Sequence, residues 1–233
     1  VPEWFFIDPS TDTLLPKIDL NALSLMKEHH VKILPLINNI NENKEGEFDG
    51  ALIHRILHDR AKEEKLIDDI VRYLKMYQLQ GINVDFEEFH EKSDEPIIAF
   101  QKALYRRLHN EGLIVSQDIM SGNEDFNVKS LAQFNDYLFL MDYDEHYGTS
   151  VPGAISSQKW IEKNLDEASK EIPSSKIIVC IAGYGYDWPE NEEANTITYQ
   201  EALADAAQFK SNIEFDNNTY SNNFSYSDAD GIP

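Results

Sequence analysis

The 233-residue sequence has a formal net charge of −22, which argues against nucleic acids and anionic membrane surfaces as binding partners. Its hydrophobic content of 42% and aromatic content of 11% are typical of a globular protein with a substantial core. A single cysteine, Cys180, excludes an internal disulfide, and no apolar run approaches the roughly 18 residues of a membrane-spanning helix. No secretory signal peptide is visible, and because the sequence starts at Val1 rather than Met, we expect it to be part of a longer protein.

Apolar, strand-like runs alternate with helical patterns along the chain, which predicts an α/β fold with parallel strands. The predicted strands cover residues 1–7, 31–37, 81–87, 113–117, 137–141 and 176–182. The predicted helices cover residues 19–30, 49–77 (one helix, or two joined near Asp59), 94–110, 128–134, 156–171 and 194–210. Residues 213–226, rich in Asn, Ser and Tyr, predict a hairpin or an excursion from the fold.

The third predicted strand carries the most informative pattern of the chain. Its apolar residues alternate with polar ones, with Ile82, Val84 and Phe86 on one face and Asn83, Asp85 and Glu87 on the other. Two acids on one strand face lie roughly 7 Å apart along the strand, so they can share a site. The alternative is a strand end whose acids, Glu87, Glu88 and Glu91, form a solvated loop or cap the next helix, but the polar positions begin inside the apolar run.

The run Gly-Ile-Asn-Val-Asp-Phe-Glu resembles the signature strand of glycoside hydrolase family 18, the chitinase-like family, which has the pattern Asp-Gly-x-Asp-x-Asp-x-Glu. Gln80 and Asn83 stand where that pattern has Asp. The run Met141-Asp142-Tyr143-Asp144 is similar to the family's Met-x-Tyr-Asp motif. The segments at residues 2–5, 34–39, 143–147 and 183–188 also resemble a bacterial branch in which this domain is fused to a polysaccharide deacetylase and a membrane-bound processive glycosyltransferase.

The resemblance implies a (β/α)8 TIM barrel whose signature strand is the fourth of eight. Here the signature strand is the third that we predict, so we expect this chain to be an incomplete barrel covering strands two to seven. The first strand would then precede Val1 and the eighth would follow Pro233. Residues 1–233 are accordingly predicted to form a single catalytic domain, with residues 188–230 as a helix plus a hairpin-like insertion.

Active sites of such barrels lie at the carboxyl ends of the strands, where this chain has acids, amides and aromatic residues and almost no basic ones. That composition suits a neutral sugar, which aromatic faces stack on and polar groups hold by its hydroxyls. The predicted substrate-binding residues are Trp4, Gln117, Asp118, Met141, Tyr184 and Trp188. For Trp4, Tyr184 and Trp188 a place in the core is an equal alternative, and Asp118 either lines the site or pairs within it.

The resemblance also implies the mechanism, a retaining reaction in which the substrate's own acetamido group attacks the anomeric carbon. Glu87 would be the acid, and Asp85 would orient the acetamido group, while the like charge of Asp85 keeps Glu87 protonated near neutral pH. Tyr143 would bind the acetamido carbonyl. Asn83 and Asp144 are predicted as supporting residues: Asn83 would hydrogen-bond Asp85, and Asp144 would either hydrogen-bond the acids or cap the following loop.

No cofactor or metal is predicted. His54 and His58 lie four residues apart on a predicted helix, but without a third ligand an exposed helix face is the better explanation. The predicted partners are a β-linked, N-acetylglucosamine-containing polysaccharide and the fused deacetylase and glycosyltransferase domains, at an extracytoplasmic location in a bacterium. A non-catalytic glycan-binding domain and a scaffolding domain of a polysaccharide synthesis machine are the alternatives.

Overall fold

A computed structural model of the protein describes residues 1–44, 46–89, 95–120, 122–123, 126–190 and 192–227. Glu91 and Asp94, which figure in the predictions above, lie outside these residues, as does the end of the predicted insertion at 228–230. Contacts between Cα atoms divide the chain into two compact units. Unit 1 comprises Val1–Phe139 and Ser169–Ile178, and unit 2 comprises Leu140–Ala168 and the chain from Val179 onward.

The secondary structure alternates strands and helices. The strands are β1 (Glu3–Asp8), β2 (Thr13–Pro16), β3 (Leu36–Asn38), β4 (Ile40–Asn41), β5 (Glu47–Phe48), β6 (Gly81–Asp85), β7 (Ile114–Ile119), β8 (Tyr137–Asp142), β9 (Ile177–Ile181), β10 (Tyr184–Asp187), β11 (Asn195–Thr198), β12 (Glu214–Asp216) and β13 (Ser221–Asn223). The helices are α1 (Leu20–Glu28), α2 (Gly50–Leu57), α3 (Arg60–Tyr77), α4 (Glu95–His109), α5 (Val128–Leu131), α6 (Gln158–Ala168) and α7 (Tyr199–Gln208).

A seven-stranded sheet runs in the order β2-β1-β3-β6-β7-β8-β9. In unit 1, β1 pairs parallel with β3, β3 with β6, and β6 with β7, while β2 pairs antiparallel with β1 at the edge. The six predicted strands therefore occur, and they follow one another across the sheet in chain order. This arrangement confirms the α/β fold with a parallel central sheet.

The core of unit 1 lies on the apolar face of β6. Ile82, Val84 and Phe86 have no exposed surface, and the ring centroid of Phe86 lies 5.8 Å from that of Phe100 on α4. Because side chains alternate along a strand, burying these three residues directs Asn83 and Asp85 to the opposite face. The apolar pattern that makes β6 a strand thus also positions the acids.

Two local predictions need correction: the bounds of the second strand and the start of the helix predicted over residues 194–210. The second strand is shorter than predicted, covering Leu36–Asn38, because Pro35 has no N–H to contribute to a ladder. Residues 195–198, predicted as helix, form strand β11 against β10. Helix α7 starts only after Thr198, which forms a capping box with Glu201.

Two other predictions, of a helix break near Asp59 and of a hairpin, agree with the structure. The helical region 49–77 is two helices, and the Asp59 side chain caps the second of them. The predicted hairpin in 213–226 is present as antiparallel β12 and β13. In the part of the chain that the structure describes, no helix is both long and apolar enough to cross a membrane.

Candidate active site

Two carboxyl groups, those of Asp85 and Glu87, are hydrogen-bonded to each other at the carboxyl end of β6. Burial, the charge of Glu87, this hydrogen bond and the charge of Glu3 together raise the pKa of Asp85 to about 8. One oxygen of Asp85, Oδ1, is buried without a hydrogen-bond partner. At neutral pH the pair therefore retains a proton that two separate carboxyls would have lost, and such a pair can serve acid–base chemistry.

Asn39, directly after β3, holds the backbone of Glu87. Its Nδ2 donates to the Glu87 carbonyl at 2.9 Å, and its Oδ1 accepts from the Glu87 N–H at 3.0 Å. Asn39 has no exposed surface, so water does not compete for these bonds. Its position after a strand was visible in the sequence, but nothing in the pattern indicated that it clamps Glu87.

Glu3 and Asn38 extend the polar face on the neighbouring strands. Asn38 lies opposite Asp85 in the parallel register of β3 and β6, and its Nδ2 donates to Glu3 Oε1 at 2.6 Å. Asn38 is 1% exposed, and the charge of Glu3 acts on Asp85. Glu3 was not among the predicted site residues, because a single acid at the start of a strand is an ordinary surface feature.

Asn83 has different partners from the one predicted. Its Nδ2 donates to Asp118 Oδ2 at 2.7 Å, and its Oδ1 accepts from the Ser116 hydroxyl at 2.7 Å. Both partners lie on β7, so the predicted hydrogen bond from Asn83 to Asp85 is wrong. Asp118 is 7% exposed, and burial and the charge of Asp85 raise its pKa to about 7. In this structure Asp118 is thus paired with Asn83.

Gln117 does not belong to this face. It lies opposite Val84 in the register of β6 and β7, so its side chain is on the same side as the apolar core. It is fully buried, and its Oε1 accepts from Asn135 Nδ2 at 3.4 Å, while Asn135 in turn accepts from Gln101. The prediction that Gln117 binds substrate is therefore corrected: alternation along β7 directs it into a polar network inside unit 1.

Gln80 supports the start of β6. Its Oε1 accepts from the Ile33 N–H at 2.8 Å and its Nε2 donates to the Gln78 carbonyl at 2.8 Å. The residue that replaces an Asp of the family pattern thus links two backbone segments at the amino end of the strand. Trp4 is 6% exposed and packs in the hydrophobic core, which favours the core alternative over a sugar platform.

In unit 2, Asp144 accepts two tyrosine hydroxyls. Tyr184 donates to its Oδ1 at 2.5 Å and Tyr186 donates to the same oxygen at 3.2 Å. Asp144 adopts a left-handed backbone with φ of 61°, which Asp tolerates better than most residues. Burial and the Asp144 carboxylate raise the pKa of both Tyr184 and Tyr186, so both keep their protons.

The aromatic residues of unit 2 form a continuous row. Ring centroids are 6.3 Å apart between Tyr143 and Tyr184, 5.7 Å between Tyr184 and Tyr186, and 5.5 Å between Tyr186 and Trp188. Trp188 also donates from Nε1 to the Tyr147 carbonyl at 3.3 Å. All four of these rings are partly exposed. The row combines internal packing with surface that a ligand can reach.

Strand β8 supplies two buried residues before Tyr143. Met141 is 8% exposed, and Asp142 is fully buried and accepts from Asn164 Nδ2 at 2.9 Å. Burial raises the pKa of Asp142. Asp142 was not predicted as a site residue, and its bond to α6 indicates a role in holding the end of β8, directly before Tyr143.

The two histidines of α2 and its cap stack on each other. The ring centroids of His54 and His58 are 3.8 Å apart, and His58 Nδ1 lies 2.8 Å from the His54 carbonyl oxygen. Among the described residues no group of three His, Cys, Asp or Glu side chains is placed to hold a metal ion.

The sequence profile of the glycosyl hydrolases family 18 matches residues 5–231. The uncharacterized glycosylase YvbX of Bacillus subtilis is 27% identical over 77% of this chain and 54% of its own length. The cortical fragment-lytic enzyme of Bacillus subtilis is 25% identical over 90% of this chain and 51% of its own length. The chain spans about half the length of these curated relatives.

Solved structures of similar fold cover nearly the whole chain. The spore cortex-lytic enzyme SleL of Bacillus megaterium QM B1551 matches with a TM-score of 0.89 and 29% identity, over 99% of this chain and 55% of that one. A chitinase from Chromobacterium violaceum ATCC 12472 has a TM-score of 0.89 at 24% identity, over 99% of this chain and 75% of that one, which establishes likeness of fold. Because the family profile covers nearly the whole chain, this protein belongs to the glycosyl hydrolases of family 18.

Proposed function

We propose that this domain is a glycosidase that cleaves a β-linked, N-acetylglucosamine-containing polysaccharide by a retaining, substrate-assisted reaction. The observation that carries the proposal is the hydrogen-bonded carboxyl pair of Asp85 and Glu87, clamped by Asn39 at the end of β6. A domain that only binds glycans has no use for a carboxyl pair that keeps a proton near neutral pH. The proposal includes the (β/α)8 barrel that the sequence predicts.

In this proposal Glu87 protonates the oxygen of the leaving sugar, and the substrate's acetamido oxygen attacks the anomeric carbon. Asp85 accepts a hydrogen bond from the acetamido N–H and stabilises the positive charge that develops on the ring formed by this attack. Glu87 then acts as a base toward water, which opens the ring with net retention. The proton returned to Glu87 in that step readies the pair for another cycle.

Tyr143 is proposed as the donor to the acetamido carbonyl, from its place in the Met-x-Tyr-Asp motif and its partly exposed ring. The hydroxyl groups of Tyr184 and Tyr186 support this role indirectly, since they hold Asp144, the residue that follows Tyr143, in its left-handed conformation. Trp188 is proposed as a sugar-stacking surface, because its ring is partly exposed at the end of the aromatic row.

The substrate class and the location complete the proposal. Relatives named as cortical fragment-lytic and spore cortex-lytic enzymes and a chitinase support a cell-envelope or extracellular amino-sugar polymer. Action outside the cytoplasmic membrane follows from such a substrate. Association with a deacetylase and a processive glycosyltransferase in the same polypeptide remains a prediction from the sequence resemblance.

The test compares wild type with Glu87→Gln, in the natural polypeptide that contains residues 1–233, on N-acetylglucosamine oligomers with and without partial deacetylation. We expect hydrolysis to fall by about 10³-fold or more in the variant while oligomer binding persists. Glu88→Gln, at an exposed neighbouring position, is the matched control and should keep wild-type rates. Binding without cleavage by the wild type would instead support the glycan-binding alternative, and neither binding nor cleavage would reject the proposed substrate class.

A further inference from the structure

The polar face of β6 continues onto β7. Asn83 lies opposite Ser116 in the parallel register, and the same register continued by two residues sets Asp118 beside Asp85. Since side chains alternate along both strands, these four residues share one face of the sheet. Asp118 is therefore a third carboxyl on this face, buried beside the Asp85–Glu87 pair and contributed by the neighbouring strand.

Asn83 lies between Ser116 and Asp118 in a chain of hydrogen bonds. The Ser116 hydroxyl, which also lies 3.2 Å from the Ile82 carbonyl oxygen, donates to Asn83 Oδ1 at 2.7 Å. Asn83 Nδ2 in turn donates to Asp118 Oδ2 at 2.7 Å. Ser116 is fully buried and Asn83 is 1% exposed, so water does not replace either bond. The chain Ser116–Asn83–Asp118 thus anchors one oxygen of Asp118.

The charged groups that act on this chain of hydrogen bonds lie on β6, just after it, and on β1. Asp85 acts on Asp118 from β6, while the Asn83 hydrogen bond favours the ionised form of Asp118. Asp85 in turn faces Glu87, and Glu3 from β1. Among the side chains that the structure describes, no cation acts on either carboxyl. Like charges so close cannot all ionise at neutral pH, and their titrations are coupled.

We propose that Asp118 is a positioning residue. It supplies, from β7, the carboxyl that position 83 of the signature strand lacks, and so keeps the proton of this face on the Asp85–Glu87 pair. Asn83 then serves as the anchor for Asp118 and is not merely a replacement for the Asp of the family pattern. Compared with that pattern, the carboxyl lies on β7 and not at position 83 of β6, but it is still on the same face and beside Asp85. Its link to catalysis rests on the function proposed above, whereas its effect on Asp85 does not.

The test measures the titration of Asp85 itself, by carboxyl ¹³C NMR of aspartate-labelled protein, with the signal assigned through Asp85→Asn. Asp118→Asn keeps an acceptor for Asn83 but removes the charge, so we expect the Asp85 midpoint to fall by about 1 pH unit. Asp68→Asn, which removes a charge from a 70% exposed side chain on α3, is the matched control and should leave the midpoint unchanged. If Asp118→Asn does not fold, Asp118→Ser offers a smaller acceptor without charge.

Exchanging the two residues is the decisive experiment. The double variant Asn83→Asp/Asp118→Asn returns the carboxyl to β6 and should bring the Asp85 midpoint back towards its wild-type value. A midpoint that stays at the wild-type value in Asp118→Asn, or at the Asp118→Asn value in the double variant, would overturn the proposal.

The pH profile of hydrolysis separates this inference from the proposed function. The alkaline limb should move to lower pH in Asp118→Asn by the same amount as the Asp85 midpoint, because the pair loses its proton earlier. If the wild type hydrolyses nothing while the Asp85 midpoint still responds, the proposed function fails and the positioning role of Asp118 stands. A profile that does not move, in an active enzyme whose Asp85 midpoint does, would reject the link to catalysis.

Discussion

Replacing Asn39 with Ala tests whether the clamp on Glu87 is what positions the proposed acid. The substitution removes two hydrogen bonds, of 2.9 and 3.0 Å, and leaves the N–H and C=O of Glu87 without these partners. Each buried group that loses its partner costs about 1–3 kcal/mol, so we expect the free energy of unfolding to fall by about 2–4 kcal/mol. The released backbone also allows the Glu87 carboxyl to move, and a displacement of about 1 Å can slow catalysis by about 10²-fold.

The assay pairs urea denaturation with the kcat of oligosaccharide hydrolysis, measured at a temperature where the variant is fully folded. Asn135→Ala is the matched control, because Asn135 is also fully buried and bonds to Gln101, Gln117 and the Leu131 carbonyl on the core side of unit 1. We expect the control to lose similar stability while keeping its kcat. Equal kcat values for Asn39→Ala and wild type would refute the reasoning, since the clamp would then be purely structural.

Two further predictions concern glycine and glutamine positions around β6. In Gly50→Ala the new Cβ would lie 1.8 Å from the Glu88 carbonyl oxygen, so the backbone next to Glu87 must shift. We therefore expect the free energy of unfolding to fall by about 1–3 kcal/mol and kcat to be lower. Gly183→Ala, where nothing lies within 4 Å of the new Cβ, should change neither, and an unaltered Gly50→Ala enzyme would contradict the close approach. Gln80→Ala removes the bonds to Ile33 and Gln78 and should lower the free energy of unfolding by about 1–2 kcal/mol without changing kcat. Gln80→Asp should lose less stability than Gln80→Ala, and a drop in kcat for either variant would show that Gln80 acts beyond supporting the strand.

The sequence by itself determined the α/β alternation and the face on which the acids lie. Both follow from short-range periodicity. Because side chains alternate along a strand, burying Ile82, Val84 and Phe86 on one face of β6 places Asp85 on the opposite face. The same local chemistry predicted the helix break at Asp59, whose side chain caps α3. Thr198 and Glu201 carried an equally local signal, the capping box, which places the start of α7 after the predicted boundary.

Only the tertiary structure decided which polar residues of different strands meet. Asn39 and Glu87 are far apart in the chain, and their contact depends on the register of β3 against β6. The register of β6 against β7 likewise determines that Asn83 hydrogen-bonds Asp118 and not Asp85, and it directs the Gln117 side chain towards the core. A one-residue change of register would exchange the two faces of β7, and no pattern within a single strand encodes that choice. The pKa of Asp85 depends on strand pairing as well, because the charge of Glu3 acts on it from β1, while that of Glu87 acts from the segment just after β6.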